Sequence, residues 1–245
     1  MKALILAAGY GTRLYPLTKD KPKPLLEINQ KPIIDYLLDK LQPFSNLSEV
    51  IVVTNDKFSV PFEHWAKAKK FSSPMSVVND GTKSNDDRLG SMGDIHFVMQ
   101  QKHIEEDLLV LGGDNLFDQP LEDFVAKAMA DSPKVTIGLY DIRDKNEARK
   151  FGVVQLDSKN QVVSFDEKPA NPKSSLIGMC LYYLPAPSLN CVGRYLQVSK
   201  SADTSGDYIR WLYPQETVFG FKFDGKWYDI GSIEAYQEAQ NEFQT

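Results

Sequence analysis

Short apolar runs alternate along the first part of the chain with longer stretches whose apolar positions recur every three to four residues. The runs predict strands at 2–7, 49–54, 75–79, 107–112 and 134–140. The longer stretches predict helices at 32–42, 57–70, 89–101 and 121–130. Pro32 and Pro120 stand where a proline opens a helix at little cost. Regular strand–helix alternation argues for an α/β fold with a mostly parallel sheet and helices on both faces. In such sheets ligands bind beyond the carboxyl ends of the strands. The pattern changes after about residue 150. Strands are predicted at 151–157 and 161–166, joined by the turn Asp157-Ser158-Lys159-Asn160, and at 176–184 before Pro185. Helices at 188–199 and 206–213, strands at 217–223 and 226–229, and a helix at 232–243 complete the pattern. No repeat, low-complexity linker or long charge block interrupts it, so residues 1–245 read as one domain.

A chain of 245 residues with 42% apolar and 25% charged residues can bury a sizeable core without staples. The net charge of −5 argues against a nucleic-acid partner. No apolar run reaches bilayer length, and the N-terminal run reads as the first strand, not as a signal peptide. Cys180 and Cys191 lack metal-ligand spacing and form no disulfide framework, which points to a reducing, cytoplasmic setting. His64, His96 and His103 do not cluster, so neither a zinc site nor a histidine triad has support.

The chemistry concentrates near the N-terminus. An apolar run ends in Ala7-Ala8 and leads into Gly9-Tyr10-Gly11, where backbone N–H groups can approach an anion closely. Thr12, Arg13 and Lys23 follow, and both cations can reach a polyphosphate. The loop is not a dinucleotide fingerprint, because Leu14 holds the position of the third glycine. It is not a P-loop, because no Gly-Lys-Ser/Thr closes it. A strand, a glycine loop and two cations describe a nucleoside triphosphate site; the plainer alternative is a tight strand-to-helix turn with two solvated cations. Further along, Asp114 follows Gly112-Gly113 at the predicted end of a strand, a suitable place for a carboxylate ligand of Mg²⁺ or for an Asx-type turn.

The string Leu6-Ala7-Ala8-Gly9-Tyr10-Gly11-Thr12-Arg13-Leu14-Tyr15-Pro16-Leu17-Thr18, followed by Pro22-Lys23-Pro24-Leu25, resembles the signature of the sugar-1-phosphate nucleotidyltransferases. Gly113-Asp114-Asn115, Glu167-Lys168-Pro169 and Trp227-Tyr228-Asp229-Ile230-Gly231-Ser232 resemble three further motifs of that family, which has Leu where Gly112 stands here. The resemblance is closest to glucose-1-phosphate thymidylyltransferases. It implies a Rossmann-like three-layer α/β/α fold of the GT-A-like type. Residues 1–140 would mainly bind nucleotide, and the β-rich residues 141–245 would mainly bind sugar phosphate.

The resemblance further implies an Mg²⁺-dependent reaction of a nucleoside triphosphate, dTTP or UTP, with a sugar 1-phosphate, glucose 1-phosphate first. Ala7, Ala8, Gly9, Gly11 and Thr12 would cradle the nucleotide, with Arg13 and Lys23 catalytic. Asp114 and Asp229 would hold the metal. Gly152, Glu167, Lys168, Gly178 and Asp207 would contact the sugar phosphate. Where thymidylyltransferases read the base with Gln-Pro before a Gly-Leu-Ala loop, this chain has Asn79-Asp80-Gly81 and the polar run 82–88, so Asn79 and Gly81 are the base-site candidates. Many family members continue past this length into a second domain; with the last predicted helix at 232–243, no second activity is expected. A homo-oligomer is compatible with the family. Two alternatives stand beside this reading. One is a cytidylyltransferase acting on phosphocholine or a similar small phosphorylated alcohol; the other is a non-catalytic nucleotide-sugar sensor on the same fold.

Overall fold

A computed structural model describes residues 1–199 and 204–243. The chain forms two compact units. The first comprises Met1–Leu89, Leu111–Leu121 and Gly225–Thr245, and the second comprises Gly90–Val110 and Glu122–Asp224.

The first unit is built on three parallel strands. Lys2–Leu6 pairs with Glu49–Thr54, with Leu4 opposite Ile51, and Glu49–Thr54 pairs with Met75–Asn79, with Val52 opposite Val77. Ala3, Leu4 and Ile5 are fully buried, as are Val50 to Val53. Continuous apolar runs of this kind are what a sheet covered on both faces requires. Helices Ile33–Leu41 and Ser59–Ala68 connect the strands in turn. Because the three strands run the same way, their carboxyl ends share one edge of the sheet. The loop from Ala7, the buried Asn55, and the segment from Asn79 all start from that edge. Strands Asn115–Phe117 and Trp227–Asp229 form a separate antiparallel pair. The last helix, Ile233–Glu242, is capped by Ser232, whose Oγ accepts from the Ala235 N–H at 3.2 Å. A core of Leu14, Leu26, Ile28, Ile33, Tyr36, Leu116, Ile230, Ala239 and Phe243 joins the chain's two ends.

The second unit carries the antiparallel ladders. Gly152–Leu156 and Val162–Glu167 form a hairpin with Phe165 opposite Val154 and Glu167 opposite Gly152. Asp157 closes its turn by accepting from the N–H groups of Lys159 and Gln161, both at 2.8 Å. Leu176–Leu184 runs antiparallel to Val135–Asp141, and Val218–Phe223 runs parallel to that strand. The register shifts between Gly178 and Tyr182, where Cys180 takes a left-handed φ of 52°. Helices Gly90–Gln101, Glu122–Ala130, Asn190–Val198 and Ser205–Leu212 complete the unit.

The α/β class with parallel central strands and a β-rich second part is therefore the fold. Element ends move by a residue or two from the pattern. The helix expected from 57 starts at Ser59, because Asn55 Oδ1 accepts from the Phe58 N–H and holds residues 56–58 in a 3₁₀ turn. Several short elements have no sequence expectation, among them the hairpin Glu27–Ile28 with Lys31–Pro32, the strand Asn115–Phe117, and the single helical turn Lys145–Ala148. Among the described residues, no helix is long and apolar enough to cross a membrane.

One buried polar contact gives a direct test of the second unit's packing. Tyr183, fully buried, donates its hydroxyl to Asp107 Oδ2 at 2.6 Å, and the Ala186 N–H donates to Oδ1 at 2.8 Å. Asp107→Ala leaves both donors without this acceptor and should cost about 2–3 kcal/mol, whereas Tyr183→Phe removes one bond and should cost about 1 kcal/mol. Urea unfolding of the two variants checks the ranking; equal losses would show that the carboxylate does not organise this corner.

Candidate functional site

In the first unit, the glycine loop is held open by its neighbours. The Ala7 N–H donates to Val53 O at 2.9 Å, and Asn55 Nδ2 donates to Ala8 O at 2.8 Å. Ala7 and Ala8 are buried, whereas Gly9 is exposed, and a Cβ at Gly9 would meet no atom within 4 Å. The loop thus has room there for a ligand to approach the main chain. Gly11 has a φ of +62°, and Thr18, fully buried, donates its hydroxyl to Gly11 O at 2.7 Å. Leu14 anchors the far side of the loop in the core, leaving Thr12 and Arg13 exposed.

The two expected metal carboxylates come from distant parts of the chain. The Gly113 N–H donates to Leu6 O at 2.9 Å. A Cβ on Gly113 would overlap that oxygen and stand 3.1 Å from Pro24 Cγ, so only glycine permits the approach. Asp114 follows directly, and Lys23 Nζ donates to its Oδ2 at 2.7 Å. Burial alone would raise the Asp114 carboxyl. Burial is the largest single effect, but the Lys23 ammonium and the hydrogen bonds from Lys23, the backbone and Asn115 together outweigh it and hold the carboxyl below its ordinary range.

Asp229 lies opposite Asn115 in the antiparallel pair, and the Ile230 N–H donates to Asp114 O at 3.1 Å. Trp227 Nε1 donates to Asn115 Oδ1 at 2.7 Å and fixes the pairing. A Cβ on Gly231 would lie 3.4 Å from Asp229 Oδ2 and 3.8 Å from Arg13 Nη2, so Arg13 and Asp229 flank the same glycine. Arg13, Lys23, Asp114 and Asp229 therefore gather in one place.

Among the described residues, no group of three or more His, Cys, Asp or Glu side chains could hold a metal by itself. Two carboxylates beside a glycine loop and two cations fit Mg²⁺, which takes one or two carboxylates and completes its shell with phosphate oxygens and water.

Asn79 and Gly81 leave the third parallel strand. Asn79 is exposed; its Oδ1 accepts from the Gly81 N–H at 2.8 Å, and its Nδ2 donates to Asp56 Oδ1 at 2.9 Å. Gly81 has a φ of +81° and open space around its Cα. Tyr10 ties this segment to the glycine loop, donating to Thr82 Oγ1 at 3.3 Å. Burial raises the Tyr10 hydroxyl, and the carboxylates of Asp87, Asp80 and Asp56 add to the rise against the Thr82 hydrogen bond. The polar run after Thr82 is closed on itself: Asp87 accepts from the N–H groups of Lys83 at 3.0 Å and Ser84 at 2.7 Å, which hold its carboxyl below the usual range.

The second unit holds the remaining expected residues. Glu167 ends one hairpin strand opposite Gly152, whose Cβ would overlap the Phe165 ring and stand 3.1 Å from Glu167 Oε2. Burial raises the Glu167 carboxyl; Lys168 and Arg210 pull it down, and Asp207 pushes it up. Lys168 turns the chain with a φ of 44°, its N–H donating to Phe151 O at 3.0 Å. Its side chain is 63% exposed, with Nζ 3.9 Å from Glu167 Oε1. A Cβ on Gly178 would touch Phe165 Cε2 at 3.9 Å, so this glycine borders the same ring. Asp207 begins a helix. Its N–H donates to the capping Thr204 Oγ1 at 3.3 Å, its Oδ2 accepts from that hydroxyl at 2.8 Å, and its Oδ1 pairs with Arg210 at 2.8 Å. Thr18, Asn55, Gly113 and Gly206 also shape these two regions. Of these, Asn55 alone carried no signal: Thr18 ends the signature string, Gly113 is the second glycine before Asp114, and Gly206 stands directly before Asp207.

The nucleotidyl transferase family profile matches residues 2–245. The chain is 28% identical over 232 residues to the bifunctional protein GlmU of Methanocaldococcus jannaschii, covering 94% of this chain and 51% of that protein. It is 29% identical over 231 residues to the bifunctional protein GlmU of Methanococcus aeolicus, with coverages of 94% and 51%. It thus spans about half the length of the curated relatives it matches. A Bacillus anthracis structure described as a glucose-1-phosphate thymidylyltransferase in complex with sucrose superposes with a TM-score of 0.83 at 21% identity, covering 98% of this chain and 94% of that one. A UDP-glucose pyrophosphorylase complexed with UDP-glucose gives 0.83 at 22% identity, covering 99% and 97%. These structures share the fold, and the profile spans almost every residue: the chain belongs to the nucleotidyl transferase family.

Proposed function

We propose that the protein joins a nucleoside triphosphate, dTTP or UTP, to a sugar 1-phosphate, glucose 1-phosphate foremost, giving a nucleoside diphosphate sugar and pyrophosphate with Mg²⁺ as cofactor. The observation that carries the reading is the gathering of Asp114 and Asp229 beside Lys23 and Arg13 at a glycine loop with open space. In this reading the first unit binds the nucleotide and the second supplies groups for the sugar phosphate.

The attacking phosphate oxygen is already anionic, so no general base is needed. A P–O bond forms from that oxygen to the α-phosphorus, the α–β phosphoanhydride bond breaks, and pyrophosphate leaves. Catalysis is then alignment and charge neutralisation. The loop from Ala7 to Thr12 presents backbone to the phosphates. Lys23 neutralises the α-phosphate, and Arg13 takes the charge that builds on the departing pyrophosphate. Lys168, its side chain exposed, holds the incoming phosphate, and Glu167 accepts from ring hydroxyls. Mg²⁺, held by Asp114 and Asp229, supplies further charge neutralisation when bound.

The rings nearest Glu167 favour a sugar over phosphocholine. Phe165 is 4% exposed and Tyr182 is 8% exposed, so neither offers an open face to a quaternary ammonium.

A pyrophosphate-release assay with Mg²⁺, crossing the common triphosphates against sugar 1-phosphates and phosphocholine, tests the reading. Release with dTTP or UTP and glucose 1-phosphate is expected; release only with CTP and phosphocholine, or none with any pair, would overturn it. Arg13→Ala should lower kcat roughly 10²–10³-fold with an unchanged unfolding midpoint, because Arg13 is exposed and acts on developing charge. Asp229→Asn should raise the Mg²⁺ concentration for half-maximal rate by about tenfold or more and weaken Mn²⁺ binding measured by electron paramagnetic resonance. Unaltered metal titrations would remove Asp229 from the ligand set.

A further inference from the structure

The Glu167 carboxylate occupies space that exists only because its neighbours lack side chains. A Cβ on Gly206 would overlap Glu167 Oε2 and stand 3.1 Å from both Cδ of Glu167 and Cε1 of Phe165. On the other side, a Cβ on Gly152 would overlap the Phe165 ring and stand 3.1 Å from the same Oε2. The carboxylate is therefore held between two stretches of main chain, with the buried Phe165 ring alongside. Gly206 needs no special backbone angle; its φ lies outside the left-handed region, so what it provides there is room.

The segment that carries Gly206 is itself pinned. Tyr182 donates its hydroxyl to Ser205 Oγ at 2.7 Å, and Thr204 caps the helix Ser205–Leu212 through the Asp207 N–H. Tyr182 belongs to the strand Leu176–Leu184, just past the register shift at Cys180. Burial raises the Tyr182 hydroxyl far above its ordinary value, with Cys180 and Glu167 adding to the rise, so it stays a neutral donor. The charged groups that act on Glu167 are Lys168, Asp207 and Arg210. The sequence marks Gly206 only as the neighbour of Asp207, in a stretch that resembles the family's Gly-Glu, and marks Tyr182 not at all.

We propose that Gly206 and Tyr182 are positioning residues that determine sugar specificity: Gly206 makes the slot for the Glu167 carboxylate, and the Tyr182–Ser205 bond fixes the slot's wall. This rests on the sugar-1-phosphate reading above and deepens it. A side chain at 206 forces the carboxylate out of the slot and away from the hydroxyls it would accept from. It leaves Arg13 and Lys23, which belong to the first unit, untouched.

Two measurements on the full chain decide the matter. The first is steady-state kinetics of Gly206→Ala and Tyr182→Phe. Gly206→Ala should raise KM for the sugar 1-phosphate about tenfold or more while KM for the triphosphate stays within twofold. Tyr182→Phe, which keeps the ring, should raise the sugar KM about threefold. Glu167→Asp in the Gly206→Ala background should cost much less than Glu167→Asp in the wild type, because the shorter side chain no longer meets the new methyl. Sugar KM values within twofold of wild type in both single variants, or fully additive losses, would overturn the proposal.

The second measurement needs no turnover. In ¹³C NMR titrations of the Glu167 carboxyl, its midpoint should be raised in the wild-type protein and fall toward the ordinary glutamate value in Gly206→Ala. An unchanged midpoint in that variant would overturn the proposal. A wild-type protein that releases no pyrophosphate with any pair would defeat the sugar-phosphate reading and leave the slot to be judged by the titration. Tyr182→Phe, titrated in the same way, serves if Gly206→Ala does not fold.

Discussion

The approach of Gly113 to the end of the first strand governs the first unit. One hydrogen bond, from the Gly113 N–H to Leu6 O, brings two segments more than a hundred residues apart into contact at the mouth of the glycine loop. No side chain fits there. Once that contact forms, Asp114 lies against Lys23, and its carbonyl accepts from the Ile230 N–H, which places the strand of Asp229 alongside. A shift of this glycine by even an ångström would move two carboxylates and a lysine together.

Lys23 and Asp114 answer each other's charge in a partly buried setting, with side-chain exposures of 13% and 31%. Such a pair gains little over a well-packed apolar pair, but removing one partner leaves a costly charge behind. In the reaction proposed, both groups acquire other partners, Lys23 a phosphate and Asp114 a metal. Their mutual pairing keeps each side chain in its working orientation beforehand. That is preorganisation: the geometry is set during folding and not at the moment of reaction.

Much of this was legible in the sequence, and the reasons differ by element. The parallel strands announce themselves as unbroken apolar runs, since burial on both faces leaves no polar alternation. The glycine loop, Arg13 and Lys23 lie within one short signature, where spacing along the chain is nearly spacing in the fold. Asp114 could be placed at a strand end and a strand was expected at 226–229, but the meeting with Asp229 depends on pairing with Asn115–Phe117, whose three residues leave no periodic trace. The hairpin at Glu27–Ile28 is shorter still; its turn rests on Asn29 and Gln30 with φ of 50° and 64°, unusual angles that only the fold reveals. Gly206 was legible only as part of the Gly206-Asp207 stretch; the room it leaves is filled by a glutamate 39 positions earlier, and nothing local to residue 206 records that neighbour.

The first unit draws its core from both extremes of the chain. Phe243 packs edge-on against Tyr36 at 5.4 Å between ring centroids, and Asn29 Nδ2 donates to Phe243 O at 2.5 Å. On the ribosome the glycine loop and Lys23 are made before Asp229, and every residue of the second unit is added between them. Contacts of such long sequence separation are slow to form and leave apolar surface uncovered in the interval. The glycine loop and the strand of Asp229 therefore meet only after the whole of the second unit has been synthesised.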